Sequence, residues 1–146
     1  MIRFAEIPDV PKLITFNKAM AFETENLILN EGVLYEGVKK IFERPEYGFY
    51  LIAELNQEIA GCLMVTYEWS DWRNSEIWWL QSVYVLPQFR RQGVFSSLFG
   101  EVVKMAEKKG VMQIRLYMEK DNTKAYDTYR KHGFSTGHYL LLEKKL

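Results

Sequence analysis

Cysteine, histidine and net charge are all scarce in this chain of 146 residues. The single cysteine, Cys62, excludes an internal disulfide and is typical of a reducing compartment, so we expect a cytoplasmic protein. Because only two histidines accompany it, we expect no zinc-type cluster and no metal. Nineteen basic and nineteen acidic residues cancel, so bulk charge favours neither a nucleic acid nor a membrane surface as partner.

Long apolar runs and nucleotide-binding glycine motifs are also missing. The segment from Met1 to Glu6 lacks the apolar core of a signal peptide, and no run is long enough to span a bilayer. The chain contains no Gly-x-x-x-x-Gly-Lys-Ser/Thr and no Gly-x-Gly-x-x-Gly, which argues against an unrelated nucleotide-binding domain. The composition, 48% hydrophobic and 26% charged, is that of an ordinary globular protein, and the length favours one domain over residues 1–146.

Hydrophobic periodicity predicts alternating strands and helices in the order β-α-α-β-β-β-α-β-α-β. The predicted strands are Ile2–Glu6, Phe49–Glu54, Glu58–Trp69, Glu76–Leu86, Met112–Met118 and one or two from Phe134 onward. The predicted helices begin after the capping residue Asp9, at Glu31, at Gly93 and at Asn122, and the last three end near Glu43, Gly110 and His132. This is an α/β (α+β) pattern, a mixed sheet with helices packed on it.

The most informative segment runs from Val83 to Leu98. An apolar strand leads through a proline turn to Arg90, Arg91 and Gly93, and an amphipathic helix follows. Such an arrangement directs free backbone N–H groups and a positive helix end to one place, which suits a bound pyrophosphate. Taken alone, the segment is equally consistent with a solvated turn.

A second motif changes that balance. It reads Asn122-x-x-Ala125-x-x-x-Tyr129-x-x-x-Gly133-Phe134, and it follows the Val83-x-Val85-x-Pro87 and Arg90-x-x-Gly93 patterns. Together these motifs resemble the GNAT superfamily of acyl-CoA-dependent N-acetyltransferases, and the order of elements extends the resemblance to nearly the whole chain. The segment from Tyr67 to Val85 also resembles a bacterial subgroup of that superfamily. The resemblance implies a mixed, mostly antiparallel sheet of six to seven strands, about four helices, and central strands that separate to hold CoA.

The resemblance also implies acetyl-CoA as cosubstrate and assigns its contacts. The backbone around Tyr84, from Val83 to Val85, would bond the pantetheine arm, and Asn122 would contact the same arm. The pyrophosphate would lie among Arg90, Arg91, Gln92, Gly93, Val94, Phe95 and Ser96, where Gly93 allows close approach of the backbone. Phe95 departs from the glycine or alanine usual in the family. Because Phe95 begins the apolar stripe of the helix, it either packs inward or stands beside the phosphates.

Tyr129 is the candidate general acid. In the family pattern this tyrosine points at the thioester sulfur, and its hydroxyl can protonate the departing CoA thiolate. Asn122 and Tyr129 are seven residues apart, about two helical turns, so they share one helix face. The alternatives are that Asn122 is a helix cap, which is compatible with its family role, and that Tyr129 is a core aromatic with a hydrated hydroxyl.

The general base is less evident. Gln81 stands where many family members carry a glutamate, and an amide cannot act as a base, so we expect an ordered water near Gln81 to accept the proton. Glu23 or Glu25 is expected to contact a cationic acceptor, with Glu68 as a further candidate. For each carboxylate, a solvated surface charge is the alternative.

All four tryptophans fall between residues 69 and 79. They indicate either cross-strand packing in a hairpin or an aromatic wall for the acceptor. Trp78 and Trp79 point to opposite faces, so only one of them can line a given pocket. Trp69 and Trp72 are better placed for partial exposure and are the candidate acceptor contacts.

The combined prediction is an N-acetyltransferase that moves an acetyl group from acetyl-CoA to a primary amine of a small molecule or peptide, by direct attack. One alternative is a non-catalytic acyl-CoA-binding regulatory module. Another is a polyamine-type or protein N-terminal acetyltransferase. The apolar segment Tyr139–Leu142, expected as a terminal strand at an exposed sheet edge, suggests a homodimer.

Overall fold

The computed structural model describes residues 1–146 as a five-stranded sheet with four helices. The strands are β1 (Ile2–Phe4), β2 (Gly48–Leu55), β3 (Glu58–Ser70), β4 (Ser75–Val85) and β5 (Gln113–Leu116). The helices are α1 (Val10–Glu25), α2 (Glu31–Glu43), α3 (Val94–Lys109) and α4 (Thr123–Lys131). Strand order follows the chain, and all neighbours are antiparallel except β4 and β5, which are parallel. The predicted mixed, mostly antiparallel sheet with about four helices is confirmed.

Side chains that alternate across the strands divide the core into two layers. The α3 layer is built from sheet residues on one face, among them Leu51, Leu63, Val65, Trp78 and Leu80. The opposite layer, covered by α1 and α2, includes Ile52, Cys62 and Tyr84. In α3, Leu98 and Val102 are completely buried, which fixes the start of this helix beside the end of β4.

The predicted strand count was too high. From Phe134 to the end the chain forms no strand, and β5 is shorter than the predicted Met112–Met118. Leu140 and Leu142 are each 88% exposed. Tyr139–Leu142 is a continuous apolar run without alternation, so its pattern indicates burial but contains no information about a pairing partner. A strand also requires a neighbour that satisfies its backbone groups, and this segment has none in the structure.

The predicted role of Asp9 was also wrong in detail. Asp9 occupies the residue before α1, yet its side chain makes no capping bond to that helix. Its carboxylate instead accepts the N–H of Glu6 at 2.7 Å and pairs with Arg3 at 2.8 Å. The Arg3 hydrogen bond holds the pKa of Asp9 below its usual value, so this carboxylate links β1 to the start of α1 as an anion.

None of the four helices combines the length and the apolar character needed to cross a bilayer. The longest, α1 and α3, have 16 residues each.

Candidate active site

An opening separates the ends of β4 and β5. The two strands pair only where Ile77–Leu80 meets Gln113–Leu116, whereas β4 continues to Val85. The Leu86 N–H donates to the Ala60 carbonyl on the β3 side, so the backbone groups of the preceding residue, Val85, face the opening. The predicted separation of the central strands is therefore present, and it leaves this end of β4 without a strand partner, although the Val85 carbonyl accepts the Arg90 guanidinium.

A bulge in β4 lies between the part that pairs with β5 and the unpaired end at Val85. Cys62 pairs with Tyr84 and Met64 with Gln81, so β4 contains one residue more than β3 over this stretch. The extra residue is accommodated at Ser82, whose φ is 50°. Because Cys62 and Met64 are two residues apart and share a face, Gln81 and Tyr84 also face the same side of the sheet.

The turn after β4 presents a row of free amides. Backbone N–H groups of the six consecutive residues from Arg91 to Ser96 have no hydrogen-bond partner within the protein; the first bond of α3 is donated by Ser97 to the Gly93 carbonyl at 3.0 Å. Gly93 has φ of 78° and precedes α3, so it adopts a conformation that favours glycine. A Cβ there would meet nothing within 4 Å, which leaves open space beside the amides. These N–H groups and the start of α3 are therefore free to donate hydrogen bonds to a ligand, as the sequence predicts for a bound anion.

Arg90 and Glu23 join this turn to the end of α1. The Arg90 guanidinium bonds Glu23 at 2.7 Å and also donates to the Val85 carbonyl at 2.9 Å. The Tyr84 hydroxyl donates to the other Glu23 oxygen at 2.8 Å. Burial, reinforced by the Glu23 carboxylate, raises the pKa of Tyr84, so the hydroxyl remains a donor. Glu23, predicted as an acceptor contact, is thus occupied by partners on β4 and the turn.

Tyr129 of α4 lies beside the turn, and Asn122 stands directly before the same helix. Asn122 caps the helix, accepting the Ala125 N–H at 3.1 Å, as the sequence predicted. The Tyr129 ring packs edge-on against Phe95 at 5.5 Å and against Phe134 at 5.7 Å. Its hydroxyl has no protein partner and is not sealed from solvent, so it is free to bond a ligand. Burial raises the pKa of Tyr129, which keeps the hydroxyl protonated.

Phe95, the departure from the family pattern, packs inward. Its ring stacks on Phe99 at 5.8 Å and forms one side of the Tyr129 contact. Only its backbone N–H belongs to the row of free amides, and its side chain supports the ring of Tyr129. The bulky residue is therefore compatible with an anion at the turn.

A polar and aromatic stripe crosses β3, β4 and β5 on the face that Gln81 shares. The Gln81 amide nitrogen donates to the Thr66 hydroxyl at 2.6 Å. Glu68 accepts the Trp79 indole N–H at 3.0 Å and pairs with Arg115 at 3.1 Å. Each of the two Glu68 oxygens is therefore held by a partner within the sheet.

Trp69 and Trp72 are not gathered at this place. Trp69 pairs with Glu76 near the hairpin tip, five residues along β3 from the partner of Gln81, about 17 Å away at strand spacing. Trp69 and Trp72 are 62% and 88% exposed, as expected for the turn. Glu25 is exposed at the end of α1 and forms no ion pair.

The tryptophans on β4 do point to opposite faces, as predicted. Trp78 is completely buried in the α3 layer, whereas the Trp79 ring packs on Tyr117 at 4.5 Å on the polar stripe. Arg115 and Tyr117 were missed by sequence reasoning. Because Leu116 separates them, Arg115 and Tyr117 are expected on the same face of the predicted strand Met112–Met118, which was a weak signal in the sequence. The register that places Arg115 opposite Trp79 is not evident from the sequence.

Known proteins share this fold. A model of the acetyltransferase (GNAT) family matches residues 14–134. The crystal structure of a possible acetyltransferase from Clostridium difficile 630 is 35% identical, covers 100% of this chain and 97% of its own, and superposes with a TM-score of 0.93. A predicted acetyltransferase from Clostridium acetobutylicum, solved with acetyl-CoA, has the same fold at 19% identity and a TM-score of 0.79, covering 98% and 95% of the two chains.

Curated relatives match a shorter stretch. A thialysine N-epsilon-acetyltransferase from Bos taurus is 32% identical over 75 residues, which are 51% of this chain and 44% of that protein. The chain spans about half the length of the curated relatives it matches. The family model, in contrast, covers most of the chain, including the free edge of β4, the turn with its six amides and α4. The chain therefore belongs to the acetyltransferase (GNAT) family.

Proposed function

We propose that residues 1–146 act as one domain that transfers an acetyl group from acetyl-CoA to a primary amine of a small molecule or peptide. The observation that carries this proposal is the row of six free amides at the start of α3, continuous with the free edge of β4. The amides suit a pyrophosphate, and the strand edge suits the amide-bearing arm of CoA. In this placement Val83, Tyr84 and Val85 follow the arm, and Asn122 lies on its other side.

We assign the chemical step to Tyr129, with Gln81 near the attacking amine. The amine nitrogen attacks the thioester carbonyl carbon, the carbon–sulfur bond breaks, and the thiolate takes a proton from the Tyr129 hydroxyl. The Tyr129 hydroxyl is protonated at neutral pH and so has a proton to give, while its raised pKa makes it a weaker acid than a solvated tyrosine.

Gln81 has a positioning role in this proposal. Because its amide nitrogen donates to Thr66, its carbonyl oxygen remains free to accept a hydrogen bond from the attacking amine or from a water. The amine must also lose a proton, and we assign that proton to an ordered water near Gln81 because Glu68 is paired with Arg115. Glu25, which is unpaired, is the carboxylate that remains available to a cationic acceptor.

The first test is a melting experiment followed by turnover. Acetyl-CoA is expected to raise the melting temperature, because a hundredfold excess over Kd adds about 2.7 kcal/mol to the free energy of unfolding. ATP and NAD are expected to leave the melting temperature unchanged. CoA release is then measured with a panel of amines. Melting that responds equally to all three nucleotides would contradict the proposal.

A second candidate is a module that binds acyl-CoA without turnover. It is favoured by one observation: Gln81 stands where a carboxylate base is expected, and the carboxylate on the stripe, Glu68, is already paired with Arg115 and Trp79. The two candidates differ in the amine panel. A catalyst releases CoA in the presence of some amine, whereas the module shows the melting shift alone.

The contact between Arg90 and Glu23 gives a further prediction. Glu23→Gln is expected to lower the KM for acetyl-CoA about two- to fivefold, the equivalent of one surface ion pair, because Arg90 is released toward the pyrophosphate. Steady-state kinetics at varied acetyl-CoA measures this. Glu25→Gln, two residues further on, serves as the control and is expected to leave that KM unchanged. A higher KM in Glu23→Gln would mean that the ion pair orders the turn for binding instead.

Two further proposals concern the oligomeric state of the protein and its location in the cell. A homodimer is proposed because the apolar segment Tyr139–Leu142 is exposed in the single chain. A cytoplasmic location is proposed because the one cysteine, Cys62, is free and buried.

A further inference from the structure

A cavity of about 660 Å³ opens between β5, α4 and the C-terminal segment 134–141. Its lining includes both Tyr129 and Trp79, so it touches the proposed general acid and the strand that carries Gln81. The volume is in the range of small-molecule sites. This cavity is therefore placed to hold the part of an acceptor that does not react.

The charge of this cavity has one sign. Four basic side chains line it, Arg73, Arg115, Lys120 and Arg130, and no aspartate or glutamate does. Glu68 pairs with Arg115 from outside the lining. The other three cations form no salt bridge anywhere in the structure. The cavity consequently carries uncompensated positive charge next to the reacting groups.

Arg130 is the best placed of these cations. It follows Tyr129 directly on α4, and its guanidinium lies 5.7 Å from the centre of the Tyr126 ring. An aromatic face orients a guanidinium without consuming its hydrogen-bond donors. Its fork of N–H groups is then free to bind a carboxylate in two places.

We propose that this cavity binds a carboxylate on the acceptor, so that the substrate is an amine that also carries a carboxylate, such as an amino acid. The inference rests on the proposed acetyl transfer and names the acceptor class for the same site. A polyamine does not fit, because its second and third ammonium groups would enter a cavity that holds three unpaired cations and no acidic side chain. An amino acid instead compensates that charge.

The test compares matched acceptors that differ only in the carboxylate. The kcat/KM of CoA release is measured for L-thialysine and for its decarboxylated counterpart, 2-(2-aminoethylthio)ethylamine. We expect the amino acid to be preferred by about ten- to a hundredfold, the range for a charge-assisted bidentate pair. Arg130→Gln is expected to abolish the preference. Lys131→Gln, the same loss of charge one residue further on and outside the cavity, is expected to retain it.

Several results would overturn the proposal. Equal or better turnover of the decarboxylated amine, or of spermidine, would do so. So would an Arg130→Gln variant whose KM for acetyl-CoA rises while the preference persists, because the cation would then serve the phosphates of CoA.

A binding arm separates this inference from acetyl transfer itself. N-ε-acetyl-L-lysine and N-acetylcadaverine are titrated calorimetrically into the protein saturated with CoA. Tighter binding of the carboxylate-bearing compound supports the subsite even if no amine stimulates CoA release, which would count against the proposed transfer only. Equal binding of the two compounds overturns the subsite whatever the turnover.

Discussion

Tyr129→Phe is expected to lower kcat for acetyl transfer by about 10²- to 10⁴-fold, the usual contribution of a general acid. The substitution removes only the hydroxyl, so the edge-on contacts of the ring with Phe95 and Phe134 are preserved. The hydroxyl makes no bond to the protein, and its loss therefore leaves no unsatisfied partner behind. Single-turnover release of CoA, measured with the best acceptor of the panel, gives the rate.

Two controls make that result specific. The melting shift with acetyl-CoA should be unchanged in Tyr129→Phe, which shows that the cosubstrate still binds. Tyr126→Phe, three residues earlier on α4, keeps the ring beneath Arg130 and should retain most of the activity. If Tyr129→Phe turned over as fast as the natural protein, water or another group would have to protonate the thiolate.

The raised pKa of Tyr129 also fixes the direction of a pH effect. Burial favours the protonated hydroxyl in the folded protein, so the protein binds this proton more tightly than the unfolded chain does. The associated stability is fully present below the ordinary tyrosine pKa of about 10 and is lost as the pH rises above it. Between neutral pH and that limit, the hydroxyl remains able to donate.

Local signals in the sequence were sufficient for the elements that are proposed to hold the cosubstrate. The proline at position 45 ended α2 at Glu43, and glycines bounded α3 at both ends, as the structure has them. The sequence correctly placed Asn122 at the N-cap and Tyr129 within α4, because capping and helix periodicity depend on neighbours in the chain. The separation of β4 and β5 came from the family resemblance alone.

Long-range pairings explain what sequence reasoning missed. Glu23 was assigned to the acceptor because nothing local shows that Arg90 and Tyr84, more than sixty residues away, reach its carboxylate. Glu68 was a further candidate for the acceptor contact, and its ion pair with Arg115 depends on the position of β5, which the sequence does not show. The C-terminal segment has the composition of a strand, but pairing depends on a free edge that composition does not report.

The largest effect on stability is expected from Gly48→Ala, which should lower the free energy of unfolding by about 4 kcal/mol or more. Gly48 begins β2 opposite Thr66 with φ of 155°, and a Cβ there would lie 1.9 Å from the Val65 carbonyl oxygen. The other near atoms are the Val65 carbonyl carbon at 3.0 Å and the Thr66 Cα at 3.1 Å, all of them backbone. No rotamer change can relieve this clash, so β2 and β3 must separate locally.

Thermal melting followed by circular dichroism measures the effect, with a loss of about 10 °C expected for a domain of this size. Gly37→Ala is the matched control: this glycine is exposed on α2, a Cβ there meets nothing within 4 Å, and alanine should add up to about 1 kcal/mol of stability.

Gly48→Ala should also impair function in any molecules that fold, because Thr66 holds the Gln81 amide. The expected signature is a raised KM for the amine with the KM for acetyl-CoA unchanged, since the free amides lie in the turn after β4 and at the start of α3, away from the atoms that the new Cβ meets. A variant that melts like the natural protein would show that β2 and β3 do not pair at this register.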